Sequence, residues 1–184
     1  MNGTRAPTGA KHDGLLEMPT GPVIAVLPFT NVSGDPEQEY FSDGLTEDII
    51  TELSRFREIR VLARNTTFQY KGQSVDVPLV ARETGAQYVL EGSIRKSADR
   101  VRITAQLIDA STGSHLWAER FDRDYTGVFE IQDEVTRKIV GTVAAGFGGM
   151  IQEAEIRKAS NKSVDQMEAY ELILKTRQAP YSQE

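Results

Sequence analysis

The chain has 184 residues, of which 39% are hydrophobic and 26% are charged, proportions that are ordinary for a globular protein. Its net charge of −6 disfavours nucleic acid as a partner. The sequence contains no cysteine, which excludes disulfides, thiolate metal ligands and a cysteine nucleophile. No apolar run approaches the ~20 residues that a membrane-spanning helix needs, so we expect neither a membrane span nor a nucleic-acid-binding surface.

The first regular elements follow an N-terminal segment, residues 1–21, that is rich in Gly, Pro and Thr. This segment lacks the apolar region of a signal peptide and predicts a flexible linker. The run "VIAVLPFT", residues 23–30, is short, apolar and β-branched, which predicts a strand buried on both faces. Asp35, Pro36 and Gln38 then fit the N-cap, the first turn and the capping box of a helix.

That first helix has one apolar face, whose members recur every three or four residues: Phe41, Leu45, Ile49, Leu53 and Phe56. Gly44 lies inside the helix, where glycine costs about 1 kcal/mol relative to alanine. A residue with this cost suggests a packing reason. We therefore expect the helix to approach the sheet closely at Gly44.

One more strand and two short helices are predicted next. "IRVLAR", residues 59–64, predicts a strand, and "NTTFQYKGQ", residues 65–73, predicts a capped turn or a short helix. A further helix is expected over residues 76–86, with Asp76 as its cap and Gly85 at its C-terminal end. Strands separated by helices in this way predict parallel pairing with right-handed crossovers.

The pattern then changes to an antiparallel meander of three strands. A tight turn at residues 98–99 places Ile94 opposite Ile103 and Leu90 opposite Leu107, so that apolar residues meet on one face. The polar residues meet on the other face, which makes the register self-consistent. The prediction is a mixed α/β fold of two or three layers, with about five strands, three of them parallel.

A second tight turn, at residues 111–112, is predicted to place Leu116 opposite Leu107. A long helix follows, with apolar residues at helical spacing: Val128, Ile131, Val135, Ile139 and Val143. Residues 22–150 are thus predicted to form one α/β domain. Residues 151–184 are charged and predict a helical segment without an internal packing partner, which is the expected start of a helical array.

The polar face of the meander is the main candidate interaction surface. The predicted register gathers eight residues there: Glu91, Ser93, Arg95, Arg102, Thr104, Gln106, Trp117 and Glu119. Arg95 opposes Arg102, which is unfavourable unless Glu119 or an external anion lies between them. Such a face is ordinarily solvated. However, Trp and Arg are common interface anchors, so Arg95, Arg102, Gln106, Trp117 and Glu119 are candidates for binding a ligand or a partner.

The turn after the first strand, "NVSGDPEQ", has the outline of a phosphate-binding loop. It lacks the glycine spacing and the lysine of such a loop, and Glu37 and Glu39 in the first helical turn would repel an anion. The composition therefore favours a structural turn over a phosphate cradle. Backbone amides near Asn31 and Ser33 remain candidates for a small polar group.

The remaining polar residues indicate no catalytic or metal site. His12 lies in the predicted linker and His115 near a hairpin turn, and a single histidine with one carboxylate does not complete a zinc set. The carboxylates along the first helix fit a solvated face. No Ser/His/Asp set and no spaced carboxylate pair is evident, so we expect neither catalysis nor a bound cofactor.

Several long motifs resemble one known family. They are "IAVLPFTNVSGDPEQEYFSDGLTEDIITELSR", "VLARNTTFQYKGQSVDV", "GAQYVLEGSIRKSADRVRITAQLIDASTGSHLWAERFDRD" and "FEIQDEVTRKIV". These are similar to the TolB-like domain that follows the catalytic domain in rhizobial-type class III adenylate cyclases. "MEAYELILKTR" resembles the opening of the tetratricopeptide repeats that come after it there. The resemblance covers about residues 22–178.

The resemblance implies a non-catalytic regulatory domain with a mixed sheet like that of the TolB amino-terminal domain. It implies a cytoplasmic parent protein that makes cyclic AMP. Its partners would be other domains of the same chain, a partner protein or another copy of the chain. Two alternatives stay open: an envelope-associated, periplasmic binding domain, and a domain that binds a small molecule or nucleotide weakly. No site residues are implied by the resemblance.

Overall fold

The computed structural model describes residues 21–146, 156–157 and 159–160. The predicted linker and the predicted helical array therefore lie outside the described residues, except that residues 156–157 and 159–160 are helical and exposed. None of the described helices is long and apolar enough to cross a membrane.

Six strands and four helices make up residues 21–146. The strands are β1 (Val23–Val26), β2 (Thr30–Asn31), β3 (Arg60–Val61), β4 (Tyr88–Ser97), β5 (Arg100–Asp109) and β6 (His115–Asp124). The helices are α1 (Gln38–Leu53), α2 (Arg64–Phe68), α3 (Val77–Thr84) and α4 (Val128–Gly146). This content confirms the predicted mixed α/β fold, with one strand more than expected.

The strands form one mixed sheet in the order β3-β1-β4-β5-β6, with β2 also pairing with β4. The pairs β1–β3, β1–β4 and β2–β4 are parallel, whereas β4–β5 and β5–β6 are antiparallel. The predicted parallel half and antiparallel meander are therefore both confirmed. Since this order ends at β6, that strand forms one edge of the sheet within the described residues.

The two sheet faces are covered unequally. Helices α1 and α4 pack against one face and enclose the main core, which includes Ile24, Leu45, Leu90, Leu107 and Val135, each fully buried. Helix α3 and the segment before it cover only part of the other face, over a smaller apolar cluster. The rest of this second face, towards β6, carries polar side chains.

The predicted first strand is divided in two. Val26 ends β1, and residues 27–29 separate it from β2. Pro28 lies in this break, and proline has no N–H to donate to a sheet. The N–H of Phe29 is satisfied instead by the buried hydroxyl of Thr46 on α1, at 3.0 Å. Residues 24–27 and Phe29 are buried, as expected, but Thr30 is exposed and the run is not a continuous strand.

The predicted N-cap, Asp35, lies two residues before the observed N-cap of the helix, Glu37. Residues 36–37 form a turn, and α1 begins at Gln38 without a side-chain cap. Asp35 still accepts the N–H of Glu37 at 3.0 Å and a side-chain N–H of Gln38 at 3.4 Å. Asp35 thus orders the turn that leads into α1 and does not cap the helix itself.

Gly44 packs against helix α4, whereas contact with the sheet was predicted. The close approach is therefore present, but the predicted partner was wrong. A Cβ built on Gly44 would lie 2.6 Å from Nε2 of Gln132 on α4. This amide is buried and donates to the carbonyl of Phe41 at 3.1 Å. The close approach therefore joins the two helices of the main core.

We expect Gly44→Ala to change the free energy of unfolding by less than about 0.5 kcal/mol. Removing glycine from a helix gains about 1 kcal/mol, but displacing the Gln132 amide from Phe41 loses a buried hydrogen bond of similar value. In a Gln132→Ala background the same change should stabilise by about 1 kcal/mol. Urea unfolding of the four proteins tests this coupling. A gain of about 1 kcal/mol in both backgrounds would show that Gln132 adjusts freely.

The register of the first hairpin is as predicted. Leu90 pairs with Leu107 and Ile94 with Ile103 on the core face. The turn at residues 98–99 is also confirmed, and Ala98 there has a left-handed φ of 50°. Matching apolar pairs on one face and polar pairs on the other leave a single acceptable register for two strands of this length.

The predicted register of the second hairpin is wrong by one residue over most of the hairpin's length. His115 pairs with Ile108 as the predicted turn requires, but Trp117, not Leu116, pairs with Leu107. The register shifts between these pairs, which makes Leu116 the extra residue of a β-bulge. A bulge reverses the faces of every residue that follows it, so Trp117 and Glu119 lie on the core face of β6.

Candidate interaction site

The uncovered part of the second sheet face is the candidate interaction site. We call it the polar sheet face and define it by nine residues at paired positions of β4, β5 and β6: Glu91, Ser93, Arg95, Arg102, Thr104, Gln106, Ala118, Arg120 and Asp122. The first six were predicted to share a face, and the structure brings them together. Ala118, Arg120 and Asp122 replace Trp117 and Glu119 because of the bulge.

Cross-strand hydrogen bonds order the centre of this face. The hydroxyls of Ser93 and Thr104 lie 2.7 Å apart. The side-chain amide of Gln106 donates to Glu91 at 2.5 Å. Both pairs join β4 to β5, and all four side chains are partly buried. The centre of the face is therefore an ordered array of hydroxyl, amide and carboxylate groups on rigid strands, which position side chains better than loops do.

The charged end of the face is organised around Asp122. Its carboxylate accepts two bonds from Arg102, at 2.6 and 3.3 Å, and lies 3.4 Å from Arg120. The hydrogen bonds and positive charge of Arg102 hold the pKa of Asp122 below its usual value. Asp122, which lies on β6 as Glu119 does, thus takes the neutralising role that the sequence assigned to Glu119.

Arg95 lies directly opposite Arg102. Within residues 21–146 it makes no ion pair, and its side chain is exposed. Arg95, Arg100 and Arg102 border a shallow depression of about 370 Å³, where Asp122 is the acidic member of the lining. This end of the face therefore has a local excess of positive charge on a protein that is acidic overall.

A groove of about 890 Å³ runs along the polar sheet face. Its floor includes Ser93, Thr104 and Gln106, and one wall is the segment 70–75 between α2 and α3. Tyr70 fixes that wall, because its ring is buried and its hydroxyl donates to the carboxylate of Glu83 on α3 at 2.5 Å. The sequence does not predict this wall, since nothing in the composition of residues 70–75 indicates where the segment folds.

Trp117 does not belong to the site. It is partly buried against the main core, on the face that α1 and α4 cover. Glu119 lies on the same side of β6 and is exposed. Of the five candidates predicted on the meander, Arg95, Arg102 and Gln106 therefore lie on the polar sheet face, and Trp117 and Glu119 do not.

We expect Trp117→Ala to lower the free energy of unfolding by about 1.5 kcal/mol. Removing a fully buried tryptophan typically costs at least about 3 kcal/mol, and this side chain is only partly buried. Chemical denaturation followed by circular dichroism measures the change. Exposed His115 on the same strand provides a control, because His115→Ala should be close to neutral. Equal stability of both variants would contradict the packing of Trp117.

Asn31 and Ser33 serve the turn that contains them. The side-chain amide of Asn31 donates to the carbonyl of Asp35 at 2.8 Å and accepts the N–H of Ser33 at 2.9 Å. The hydroxyl of Ser33 accepts the N–H of Lys96 at 2.8 Å, which ties the turn to β4. These bonds support the structural interpretation of the turn.

The described residues include no group of three or more His, Cys, Asp or Glu side chains that could hold a metal ion. His115 is exposed at the start of β6, as expected for a surface histidine.

The fold is a mixed α/β domain with part of one sheet face uncovered among the described residues, and comparison with known proteins identifies its family. A family model described as "HilA/YgeH-like transcriptional regulator, second domain" matches residues 20–138. The chain belongs to this family.

A protein of Rhizobium meliloti (strain 1021) named "Putative adenylate cyclase 3" is 53% identical over 175 residues. The match covers 95% of this chain but only 29% of that protein. This chain is therefore similar to one part of a much longer relative.

Solved structures with a similar chain path include TolB from Acinetobacter baumannii, with a TM-score of 0.46 and 20% identity, covering 68% of this chain and 29% of that one. Lipoprotein GNA1162 from Neisseria meningitidis has a TM-score of 0.48 and 19% identity, covering 66% and 96%. The LpoB C-terminal domain from Escherichia coli has a TM-score of 0.45 and 18% identity, covering 59% and 86%. At these values the likeness concerns the general fold only.

Proposed function

We propose that this chain is a non-catalytic regulatory module of an adenylate cyclase-type bacterial signalling protein. The observation that carries the proposal is the 53% identity across nearly the whole chain to 29% of a protein named as an adenylate cyclase. The remaining 71% of that relative leaves room for a catalytic domain elsewhere. In this proposal, cyclic AMP is made by another part of the full-length protein, which is cytoplasmic.

The family description supports a regulatory role from a second direction. It names the same domain as the second domain of transcriptional regulators. A domain that occurs beside different output domains fits regulation better than it fits a chemical step. In this arrangement residues 22–150 are the regulatory domain, residues 1–21 are a linker, and residues 151–184 lead into a tetratricopeptide-like helical array.

The polar sheet face is the surface through which we expect the module to contact another domain of the same protein. Contacts between domains of one chain are typically modest in area and relatively polar. The face offers this chemistry, with Arg95 and Arg120 exposed at its charged end and the Ser93–Thr104 pair at its centre. An acidic surface on the neighbouring domain is the complement that these arginines fit.

We expect the isolated chain to make no cyclic AMP. Metal ions assist reactions at the phosphates of ATP, and grouped carboxylates would have to hold those ions. Residues 21–146 present no such group. Cyclic AMP formed from ATP by the purified chain, above a buffer control, would refute the non-catalytic role. The role of the polar sheet face is tested by measuring cyclase activity in the full-length protein.

There, Arg95→Ala should change cyclase activity several-fold while leaving the melting of the isolated chain unchanged. Arg57→Ala is the matched control, since Arg57 is exposed and lies outside the polar sheet face. Equal activity of the two variants would remove the polar sheet face from the proposal.

A second candidate function is weak binding of a small molecule or nucleotide. The groove of about 890 Å³ favours it, because ligand sites typically measure about 300–1,000 Å³. Calorimetric titration of the chain with ATP and with cyclic AMP tests this directly. Saturable heat that Gln106→Ala abolishes would place the ligand in the groove.

A further inference from the structure

Among the described residues, strand β6 leaves one edge of the sheet open. It has ten residues and pairs with β5 on one side only, within the part of the chain that the structure describes. An open edge presents unpaired backbone groups that can pair with another strand. The length and charge pattern of β6 determine which kind of strand could pair with it.

The hydrogen-bond ladder identifies the outward backbone groups. The carbonyls of Leu90 and Ile94 accept bonds from Leu27 and Val32, so these β4 residues face away from β5. Direction alternates along antiparallel strands. When this alternation is followed through the β4–β5 and β5–β6 pairs, the backbone N–H and C=O groups of Phe121 point towards β5. The N–H and C=O groups of the even-numbered residues from 118 to 124 therefore point to the open side.

The charges on β6 are antisymmetric about Phe121. The sequence there is Glu119-Arg120-Phe121-Asp122-Arg123. When two copies of the strand run antiparallel with Phe121 opposite Phe121, Arg120 meets Asp122 of the second copy, and Glu119 meets Arg123 of the second copy. Each pair occurs twice because the arrangement is two-fold symmetric. Four oppositely charged pairs thus arise from five residues.

Neighbouring registers lose this complementarity. Centring the two-fold axis on Arg120 or Arg123 places arginine against arginine, and centring it on Glu119 or Asp122 places carboxylate against carboxylate. Like charges directly opposite each other destabilise a sheet. The charge pattern therefore selects one register in which the outward groups of Arg120 and Asp122 also form the hydrogen-bonded pairs.

Two of these charges are already held in place within each protomer. Asp122 is bound by Arg102 at 2.6 Å, and Arg123 by Glu134 at 2.7 Å. Arg120 has only Asp122 at 3.4 Å, and Glu119 makes no ion pair among the described residues. Each fixed charge would thus meet a less engaged one on the second copy.

We propose that β6 is a homodimerisation edge, at which a second copy of this chain pairs antiparallel with Phe121 on the two-fold axis. The two six-stranded sheets become one continuous sheet with an isologous interface. This inference is independent of the proposed function, because it concerns the isolated chain and requires no catalytic domain.

The first test uses charge exchange between two variants. Arg120→Asp and Asp122→Arg each place like charges at two symmetric pairs, so each should weaken self-association about tenfold or more. Mixed together, they restore complementary pairs throughout the interface. Sedimentation velocity should show a dimer for the wild type, weakened dimers for each variant, and recovery of the dimer in the equimolar mixture.

Arg57→Asp carries the same charge change away from β6 and should leave the dimer intact. A wild-type chain that stays monomeric at all concentrations would overturn the proposal, and the charges of β6 would then only protect its edge from aggregation. Failure of the mixture to recover the dimer would overturn the proposed register.

The second test reports the register without relying on charge. Since the chain has no cysteine, Glu119→Cys and Arg123→Cys proteins each carry a single thiol. These positions face each other across a non-hydrogen-bonded pair, with Cβ atoms about 4.5–5.5 Å apart. Mild oxidation of the mixture should give the mixed disulfide in preference to either symmetric one. A statistical distribution of the three disulfides would contradict the register.

Discussion

Gly92→Ala is expected to destabilise the protein by about 3 kcal/mol. A Cβ at Gly92 would overlap the carbonyl oxygen of Thr104 and the ring of Phe29. The first is backbone of the neighbouring strand, and the second is a core side chain that is 1% exposed. Neither can move aside without disturbing the β4–β5 pair, and overpacking of this kind costs about 1–3 kcal/mol or more.

Gly141→Ala is the matched control for Gly92→Ala. Gly141 lies within α4, where an added Cβ would meet no atom within 4 Å. The same chemical change should therefore stabilise the protein by about 1 kcal/mol through helix propensity. Guanidinium unfolding curves of the two variants should shift in opposite directions. A shift in the same direction would show that the close packing around Gly92 is wrong.

Thr46→Val is expected to destabilise the protein by about 2 kcal/mol. The buried Thr46 hydroxyl donates to the carbonyl of Ser42 at 2.8 Å and accepts the N–H of Phe29 at 3.0 Å. Valine has nearly the same shape but leaves that buried N–H without a partner, which costs about 1–3 kcal/mol. The break between β1 and β2 would lose its bond to α1.

Thr46→Ser separates the hydrogen bond from packing at this position. Serine keeps the hydroxyl and loses one methyl group, worth about 0.8 kcal/mol when buried. The serine variant should therefore be more stable than the valine variant, although valine is the more hydrophobic residue. The opposite order in urea unfolding would show that Phe29 does not depend on Thr46.

The sequence predicted those features that depend on matched side chains over several positions. The β4–β5 register follows from apolar pairs such as Leu90–Leu107 together with polar pairs such as Ser93–Thr104. A slip by one residue would place every one of them on the wrong face. Parallel pairing in the first half was predictable because helices separate those strands.

The features that the sequence did not predict depend on single-residue irregularities. One extra residue at Leu116 moves Trp117 to the core face and brings Arg120 and Asp122 to the polar sheet face. Likewise, Gly44 signals close packing, but nothing local to it identifies Gln132, which is 88 positions away, as the partner. The residues that share the polar sheet face were therefore predicted correctly on β4 and β5 and incorrectly on β6.

The position of Trp117 gives the chain a built-in optical reporter. It is the only tryptophan in the sequence, and it lies partly buried between the main core and the open strand. In the proposed dimer, Trp117 would face Tyr125 of the second copy. Emission of the unlabelled protein should then shift to shorter wavelength as its concentration rises, so the association of two copies can be followed in solution without any added dye.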